Sequence, residues 1–467
     1  MHRAALLIAL LATLVLATSA SAAERMWIGF HDDPSFRWSE NRQPELDAAR
    51  AANATIVRIL VEWHQVAQTK PANPRNSFDK AYAFSEIDEL VRNAQARGME
   101  INLCLWGTPG WANGGGKPNV APTNPKDYAD FARAVASRYS GKRAGFPFVR
   151  FYSIWNESNL SLFLSPQYGG AGDIVGPAAY AKLANAAVPA IKAASPKALV
   201  AIGETSSTGR DKPRAGTGSD SVAPATFARL LAPLVKGIKF DAWAQHPYPF
   251  PVNQKPSQKV RYPNVTLLSF PQFQKDLDKW FERKNLPIWI TEYGHETKPG
   301  EPLGVTEAVQ AKYARQAIEI ARSYPNVPMF IWFVFRDSKG SVWQSGLYRE
   351  NGKPRPSLAT WSAAARTVDM RNGLVRVKGG AKEPTVTVQL RELCANNPVG
   401  AAVGTNTRVY DGKKLVGVAQ PAGALAIDCT VRIKLPITVA KGKTYTATVD
   451  ANTLVSKLSR TITIVGA

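Results

Sequence analysis

Val149-Arg150-Phe151-Tyr152-Ser153-Ile154-Trp155 is followed, after a polar loop, by the Ala-rich stretch Ala178–Ala194 and then by Leu199-Val200-Ala201-Ile202-Gly203. A short β-branched and aromatic run, a longer stretch of helical character and a second short apolar run make one β-α-β unit. Outward from that unit the same alternation covers residues 26–365. Apolar runs recur at Met26–Phe30, Ile56–Val61, Ile101–Trp106, Val149–Trp155, Leu199–Gly203, Phe240–Gln245, Pro287–Thr291 and Met329–Phe335, eight in all. Helix-like segments lie between them at Ser85–Arg97, Pro125–Tyr139, Ala178–Ala194, Thr226–Leu234, Phe270–Lys284 and Thr306–Ser323. Eight strands alternating with helices predict an α/β fold of the (β/α)8 TIM barrel type. An open doubly wound sheet is the rival, but no Gly-rich phosphate-binding turn follows the first run.

Past Trp361 the texture changes. Thr385–Leu390, Thr407–Tyr410, Ala426–Lys434, Thr444–Val449 and Arg460–Val465 read as short strands separated by turns such as Asp411-Gly412. Together they predict a small all-β sandwich of roughly one hundred residues. The chain of 467 residues is long enough for two such domains. The expected division is a leader over residues 1–22, a catalytic barrel over 23–366 and an all-β accessory domain over 370–467. The leader is expected from a basic start at Met1-His2-Arg3, an apolar run Ala4–Ala17 and small residues at Ala20-Ser21-Ala22. It predicts a secreted chain, extracellular or in the cell envelope, with no transmembrane segment once the leader is removed.

Three cysteines fit that compartment. Cys104, inside an apolar run, is expected to be a buried free thiol. Cys394 and Cys429, both in the strand-rich part, are the expected disulfide. They make no zinc site, and His246 and His295 have no metal-ligand spacing with them. The formal charge of +22 suits an anionic envelope or extracellular polysaccharide, and suits equally a merely basic proteome. Interleaved basic and aromatic strips of the nucleic-acid-binding kind are missing from the sequence.

A barrel of this kind carries its active site at the C-terminal ends of the strands. The fourth run ends Trp155-Asn156-Glu157, and the seventh ends Thr291-Glu292-Tyr293-Gly294. Both bring a carboxyl group to the same rim, from strands that face each other across the axis. Two carboxyl groups are what glycosidic bond cleavage needs: one protonates a poor leaving group, the other stands beside the anomeric carbon. Long loops rich in Gly, Pro, Ser and Asn, at Gly107–Asn124, Ser158–Gly176, Thr205–Pro224 and Pro247–Leu268, can wall a groove around them.

These motifs resemble the signature of the retaining glycoside hydrolases of clan A, and look closest to families 39 and 5. Arg58 in Val57-Arg58-Ile59 resembles that clan's strand-two arginine, His246-Pro247-Tyr248 its strand-six His-x-Tyr, and Trp332 its aromatic platform at strand eight. The resemblance implies Glu157 as general acid/base and Glu292 as nucleophile. It implies Asn156 on the sugar 2-hydroxyl, Tyr248 and Arg58 holding Glu292, His246 nearby, and Trp332 with Trp106 or Trp111 stacking on sugar. It implies a carbohydrate substrate, with no cofactor and no metal. Rival carboxylates are Glu62, Glu204 and Glu296, of which Glu204 is the most plausible helper; His31 and Asp32 are candidates to line the sugar pocket. The leading expectation is hydrolysis of O-glycosidic bonds in a β-linked polysaccharide or oligosaccharide, with endo action. Transglycosylation by the same residues and a catalytically silent carbohydrate-binding barrel are the alternatives.

Overall fold

The computed structural model describes residues 26–467 except 215–218, 342, 369–373, 395–396 and 427–428. The expected leader lies outside the described residues. Eight parallel strands, β1 (Trp27–His31), β2 (Ile56–Glu62), β3 (Glu100–Trp106), β4 (Phe151–Ile154), β5 (Leu199–Thr205), β6 (Ala242–Gln245), β7 (Ile288–Ile290) and β8 (Met329–Phe333), close in sequence order into a barrel, with β8 paired to β1. The helices that pack around it are α1 (Arg42–Ala51), α2 (Trp63–Val66), α3 (Ser85–Ala96), α4 (Pro125–Arg138), α5 (Gly176–Ala194), α6 (Pro224–Leu231), α7 (Phe270–Trp280), α8 (Glu307–Arg322) and α9 (Pro356–Thr367).

Strand alternation sorts the side chains into two cores. Val57, Ile59 and Val61 of β2, with Phe330 and Trp332 of β8, belong to the large core between strands and helices. Ile56, Phe151, Ala201, Ala242, Ala244, Trp289, Met329 and Ile331 fill the inside of the barrel. Small alanines opposite bulky Phe151 and Trp289 let that interior close without a pore. Further up the same inward series stand polar residues: Arg58, Asn102, Cys104 and Ser153, all fully buried. Cys104 is the free thiol, its Sγ 2.8 Å from the Trp155 carbonyl oxygen.

The helix ends follow local rules. Thr306, read as the first helical residue of its segment, is instead the N-cap of α8 and accepts from the Val309 N–H at 3.3 Å. Helices α1 and α9 escape the sequence pattern. In α1 only Glu45, Leu46 and Ala49 are buried, too narrow an apolar stripe to register.

The C-terminal unit has two sheets over one core. β10 (Thr385–Gln389) pairs with β14 (Thr430–Lys434). The other sheet runs β12 (Lys414–Ala419), β11 (Ala402–Asp411), β15 (Thr444–Asn452), β16 (Lys457–Gly466) and β9 (Leu374–Val377), with β13 (Ala422–Ala424) also on β11. Val386, Val388, Val431 and Ile433 of the first sheet meet Val403, Val409, Val449 and Ile462 of the second. A short helix α10 (Arg391–Cys394) carries one half of the Cys394–Cys429 disulfide. Beside it, Arg391 docks the unit onto the barrel: its guanidinium bonds Glu100 and, at 2.8 Å, the Phe148 carbonyl. Glu100 begins β3, so the contact lies at the N-terminal end of the strands, about 20 Å from the rim where β3 finishes. Among the described residues no helix is long and apolar enough to cross a membrane.

Candidate active site

The rim where β4 ends is shaped by unusual backbone. Trp155 (φ 67°), Glu157 (φ 36°) and Glu204 (φ 46°) all occupy the left-handed region that non-glycine residues avoid. Such outliers persist only where surrounding contacts impose them, and they gather at functional sites. Here the contacts are visible. The Trp155 indole is buried and its Nε1–H donates to the Phe163 carbonyl at 2.7 Å. The Ser158 hydroxyl donates to the Gly203 carbonyl at 2.5 Å, tying the end of β4 to β5. Gly203 is itself at φ 99°, and a Cβ there would lie 2.6 Å from the Trp243 ring. The close packing of Gly203 on Trp243 is what lets β5 turn Glu204 into the barrel.

Arg58 is the hub, fully buried. Its Nη1 donates to Glu292 Oε1 at 2.7 Å, and its Nη2 donates to Asn156 Oδ1 at 2.7 Å and to Glu204 Oε2 at 3.1 Å. Glu204 also accepts from Thr291 Oγ1 at 2.9 Å and stands 2.8 Å from Nε2 of His246. On its other side His246 places Nδ1 3.1 Å from Glu157 Oε1 and 3.5 Å from Glu292 Oε2. The Tyr248 hydroxyl donates to Glu292 Oε2 at 3.1 Å. His31 reaches the other oxygen of Glu292 at 3.1 Å. One oxygen each from Glu157 and Glu292, with a ring nitrogen of His246, lie within 4.8 Å of one another.

The two rim carboxyls have opposite electrostatics. Burial pushes Glu157 up, His246 partly opposes that, and the nearby Glu292 charge adds to it. Burial would also raise Glu292, but the positive charges of His246 and Arg58, with His31, override it and hold that carboxyl well below the ordinary range. His246 resists charging through burial, yet Glu292, Glu157 and Glu204 outweigh this and lift it to about 9. Glu204 is lowered because Arg58 and His246 outweigh its burial. The site therefore holds one carboxyl pushed towards its protonated form and two pushed towards the carboxylate. Glu157, His246 and Glu292 are also the side chains here with the spacing to hold a cation, but the guanidinium 2.7 Å from Glu292 already supplies that charge.

The family model for cellulase (glycosyl hydrolase family 5) matches residues 19–337, well over half of the chain. This chain belongs to glycosyl hydrolase family 5. It is a clan A glycoside hydrolase, and its catalytic architecture is the eight-stranded barrel. No curated protein matches it in sequence. Solved structures share the fold at low identity. A family 39 glycoside hydrolase from Bacteroides cellulosilyticus WH2 aligns with TM-score 0.52 and 17% identity over 88% of this chain and 81% of that one. A glucosidase from Croceicoccus marinus aligns with TM-score 0.53 and 12% identity over 93% of this chain and 97% of that one. A GH5_18 protein from Streptomyces cattleya, solved in complex with GlcNAc, aligns with TM-score 0.52 and 15% identity over 80% and 87%.

Within this family 5 site, the network holds Arg58, Asn156, Glu157, Glu204, His246, Tyr248 and Glu292 together. Trp332 is not among them, and its expected place as the sugar platform is corrected. The indole is fully buried, part of the core between strands and helices, and its Nε1–H donates to the Ser345 carbonyl at 3.0 Å. The reason is parity. Met329 and Ile331 face the barrel interior, so Phe330 and Trp332 face outward and the next inward residue is Phe333. The partly exposed Phe333 ring lies 4.9 Å from His31 and 6.1 Å from Trp343, which in turn packs 5.1 Å from Tyr248. Phe333 was legible from the alternation; Trp343, in an irregular loop, had no periodic signal. Trp106 does reach the rim, half-buried at the end of β3, with its Nε1–H 3.3 Å from the Phe163 carbonyl. Trp111 bonds the Ala67 carbonyl and packs on Trp63. Asp32 is taken up by the loop after β8, accepting from the N–H groups of Phe335 and Arg336 at 3.0 and 2.9 Å. Glu62 and Glu296 are each raised to about 7, mainly by burial, with neighbouring Asp33 and Glu301 respectively, and neither bonds Arg58 or His246 among the described residues.

Proposed function

We propose that this family 5 glycoside hydrolase retains anomeric configuration, with Glu292 as nucleophile and Glu157 as general acid/base. The observation that carries the reading is the approach of their oxygens within 4.8 Å in unequal electrostatic settings. Retaining enzymes hold the two carboxyls about 5–5.5 Å apart, whereas inverting ones leave about 6.5–9.5 Å for a water.

In the first half of the reaction, a Glu292 oxygen attacks the anomeric carbon while the bond to the glycosidic oxygen breaks. The Glu157 proton moves to that leaving oxygen, and a glycosyl ester on Glu292 results. In the second half, the Glu157 carboxylate takes a proton from water, whose oxygen attacks the anomeric carbon. The ester bond breaks, Glu292 leaves as carboxylate and Glu157 is protonated again. Arg58 and Tyr248 hold Glu292 ionised and aimed. His246, anchored on Glu204, sets the place of Glu157. Asn156, fixed through its Oδ1 on Arg58, turns its amide N–H group to the sugar's 2-hydroxyl.

Activity requires Glu292 ionised and Glu157 protonated. The profile of kcat/KM against pH is therefore a bell whose acidic limb comes from Glu292 and whose basic limb, from the raised Glu157, lies above the ordinary carboxylate range. A 2-deoxy-2-fluoro glycoside should leave a covalent adduct on Glu292, and azide should rescue Glu157→Ala on an activated aryl glycoside with a glycosyl azide of retained configuration, because azide intercepts the ester on Glu292. A wild-type product of inverted configuration would sink the assignment.

The long βα loops support a groove that takes a β-linked polymer, cut internally. The basic charge supports an anionic envelope or extracellular glycan, and the leader-like start supports export. Digestion of a polysaccharide panel, with products read by mass and released anomer by NMR, separates this from transglycosylation, in which oligomers longer than the substrate appear. Sugar binding without any cleavage would identify a silent barrel instead.

A further inference from the structure

The loop after β1 touches the nucleophile by a route that the mechanism above leaves unused. His31 ends β1 and is 3% exposed. Its Nδ1 lies 3.1 Å from Glu292 Oε1 and 2.6 Å from Arg58 Nη1, and its Nε2 lies 3.0 Å from Asp33 Oδ2. Asp33 is held in turn: Oδ1 accepts from Arg37 Nη1 at 2.7 Å, and Oδ2 from the Leu60 N–H at 3.2 Å. Arg37 is anchored on the Leu60 carbonyl at 2.8 Å. A file of buried charges, Arg37, Asp33, His31, Glu292, thus runs from the turn Pro34–Trp38 into the cleft.

The other surroundings of His31 are accounted for. Arg58 faces it from β2, Glu292 from the end of β7, and the Phe333 ring from β8. Asp32 turns away to Ser35 and to the backbone of Phe335 and Arg336. Glu62 stands behind Asp33, where burial and the Asp33 charge keep its proton on up to about pH 7.

The two neighbours of Nδ1 make opposite demands. Toward a guanidinium N–H it must be bare; toward a carboxylate it must carry hydrogen. Nε2 keeps its hydrogen on Asp33 in both cases. The neutral ring therefore accepts from Arg58, and the imidazolium gives Glu292 a second donor beside Arg58. The Asp33 charge favours the imidazolium against the repulsion of Arg58.

We propose that His31, set by Asp33, is a positioning residue that adjusts the stabilisation of the Glu292 carboxylate and so balances the two halves of the reaction. This rests on Glu292 being the nucleophile. Each added donor makes the carboxylate a weaker attacker and a better leaving group; removing one does the reverse.

The test uses His31→Gln, Asp33→Asn and the double variant on an activated aryl glycoside, recording the burst, the steady state and kcat/KM against pH. In His31→Gln the acidic limb should move up by about one unit, since a cation that depresses Glu292 is gone. Glycosyl-enzyme should accumulate, seen as a larger burst and by intact mass. Asp33→Asn should move the limb the same way by less, and should add nothing in the His31→Gln background. A uniform fall in kcat/KM with an unmoved limb and burst, or fully additive effects, would overturn the proposal. Asp33→Asn keeps the side-chain shape, and an unmoved acidic limb in it alone also overturns the proposal should His31→Gln not fold. Loss of the wild-type fluoro-sugar adduct on Glu292 would instead fail the broader reading.

Discussion

The barrel has a buried arginine–carboxylate cluster at each end, and the two are built on opposite principles. At the N-terminal end, one Glu100 oxygen accepts from Arg391, Arg150 and Gln389, so donors outnumber the carboxylate. Three donors converge on that one oxygen, and the result is a joint between two domains. At the C-terminal end, Arg58, His246 and His31 are shared unequally among Glu157, Glu204 and Glu292: Glu292 faces all three, whereas Glu157 bonds His246. Burial, with the Glu292 charge beside it, pushes Glu157 towards its protonated form. A buried ion pair is in itself weak evidence for either stability or function. The balance of charges around it distinguishes a joint from a reaction centre.

The contrast is broken or sharpened by substitution at each end. Glu292→Ala should lower kcat/KM on an aryl glycoside by about 10⁵-fold or more while thermal unfolding stays cooperative and near the wild-type midpoint. A comparable loss of stability would mean that the upper cluster is a joint as well. Arg391→Ala should do the reverse. It leaves Glu100 buried without its main partner and should cost about 3–5 kcal/mol in denaturant unfolding, with kcat/KM of the folded protein within two-fold of wild type. A tenfold fall in kcat/KM without unfolding would show that the two ends communicate. Cys429→Ser opens the loop of sequence separation 35 and should destabilise the C-terminal unit by about 3–4 kcal/mol, again with the barrel's activity unchanged. The smallest effect concerns the platform. Phe333→Ala should raise KM about 5- to 10-fold through lost stacking. Trp332→Phe should leave KM alone and lower stability by about 1–3 kcal/mol. Equal KM effects from both would return Trp332 to the cleft.

The pattern of what was legible follows from range. The eight strand runs could be read because each is a short, continuous, buried segment whose pattern is local. Glu157 and Glu292 could be read because each ends such a run within a distinctive local phrase. Trp332 was misassigned by one position: the phrase carries the aromatic pair Trp332-Phe333, and only strand parity tells which of them faces inward. Helix α1 was missed because its buried face is little more than Leu46 and Ala49. Strand β12 was missed because, at the edge of its sheet, Leu415, Val416 and Val418 remain exposed and show no alternation. The contacts of Arg391 with Glu100 and of His31 with Glu292 join residues hundreds of positions apart, and no local pattern encodes them.

The Arg391 joint also fixes which way the molecule faces. The Arg391 contact lies at the N-terminal end of the strands, so the C-terminal unit is seated on the barrel away from the cleft. The protein can be tethered through that unit to a bead, a surface or a second enzyme with its mouth left open. That makes the C-terminal unit a natural handle for immobilisation.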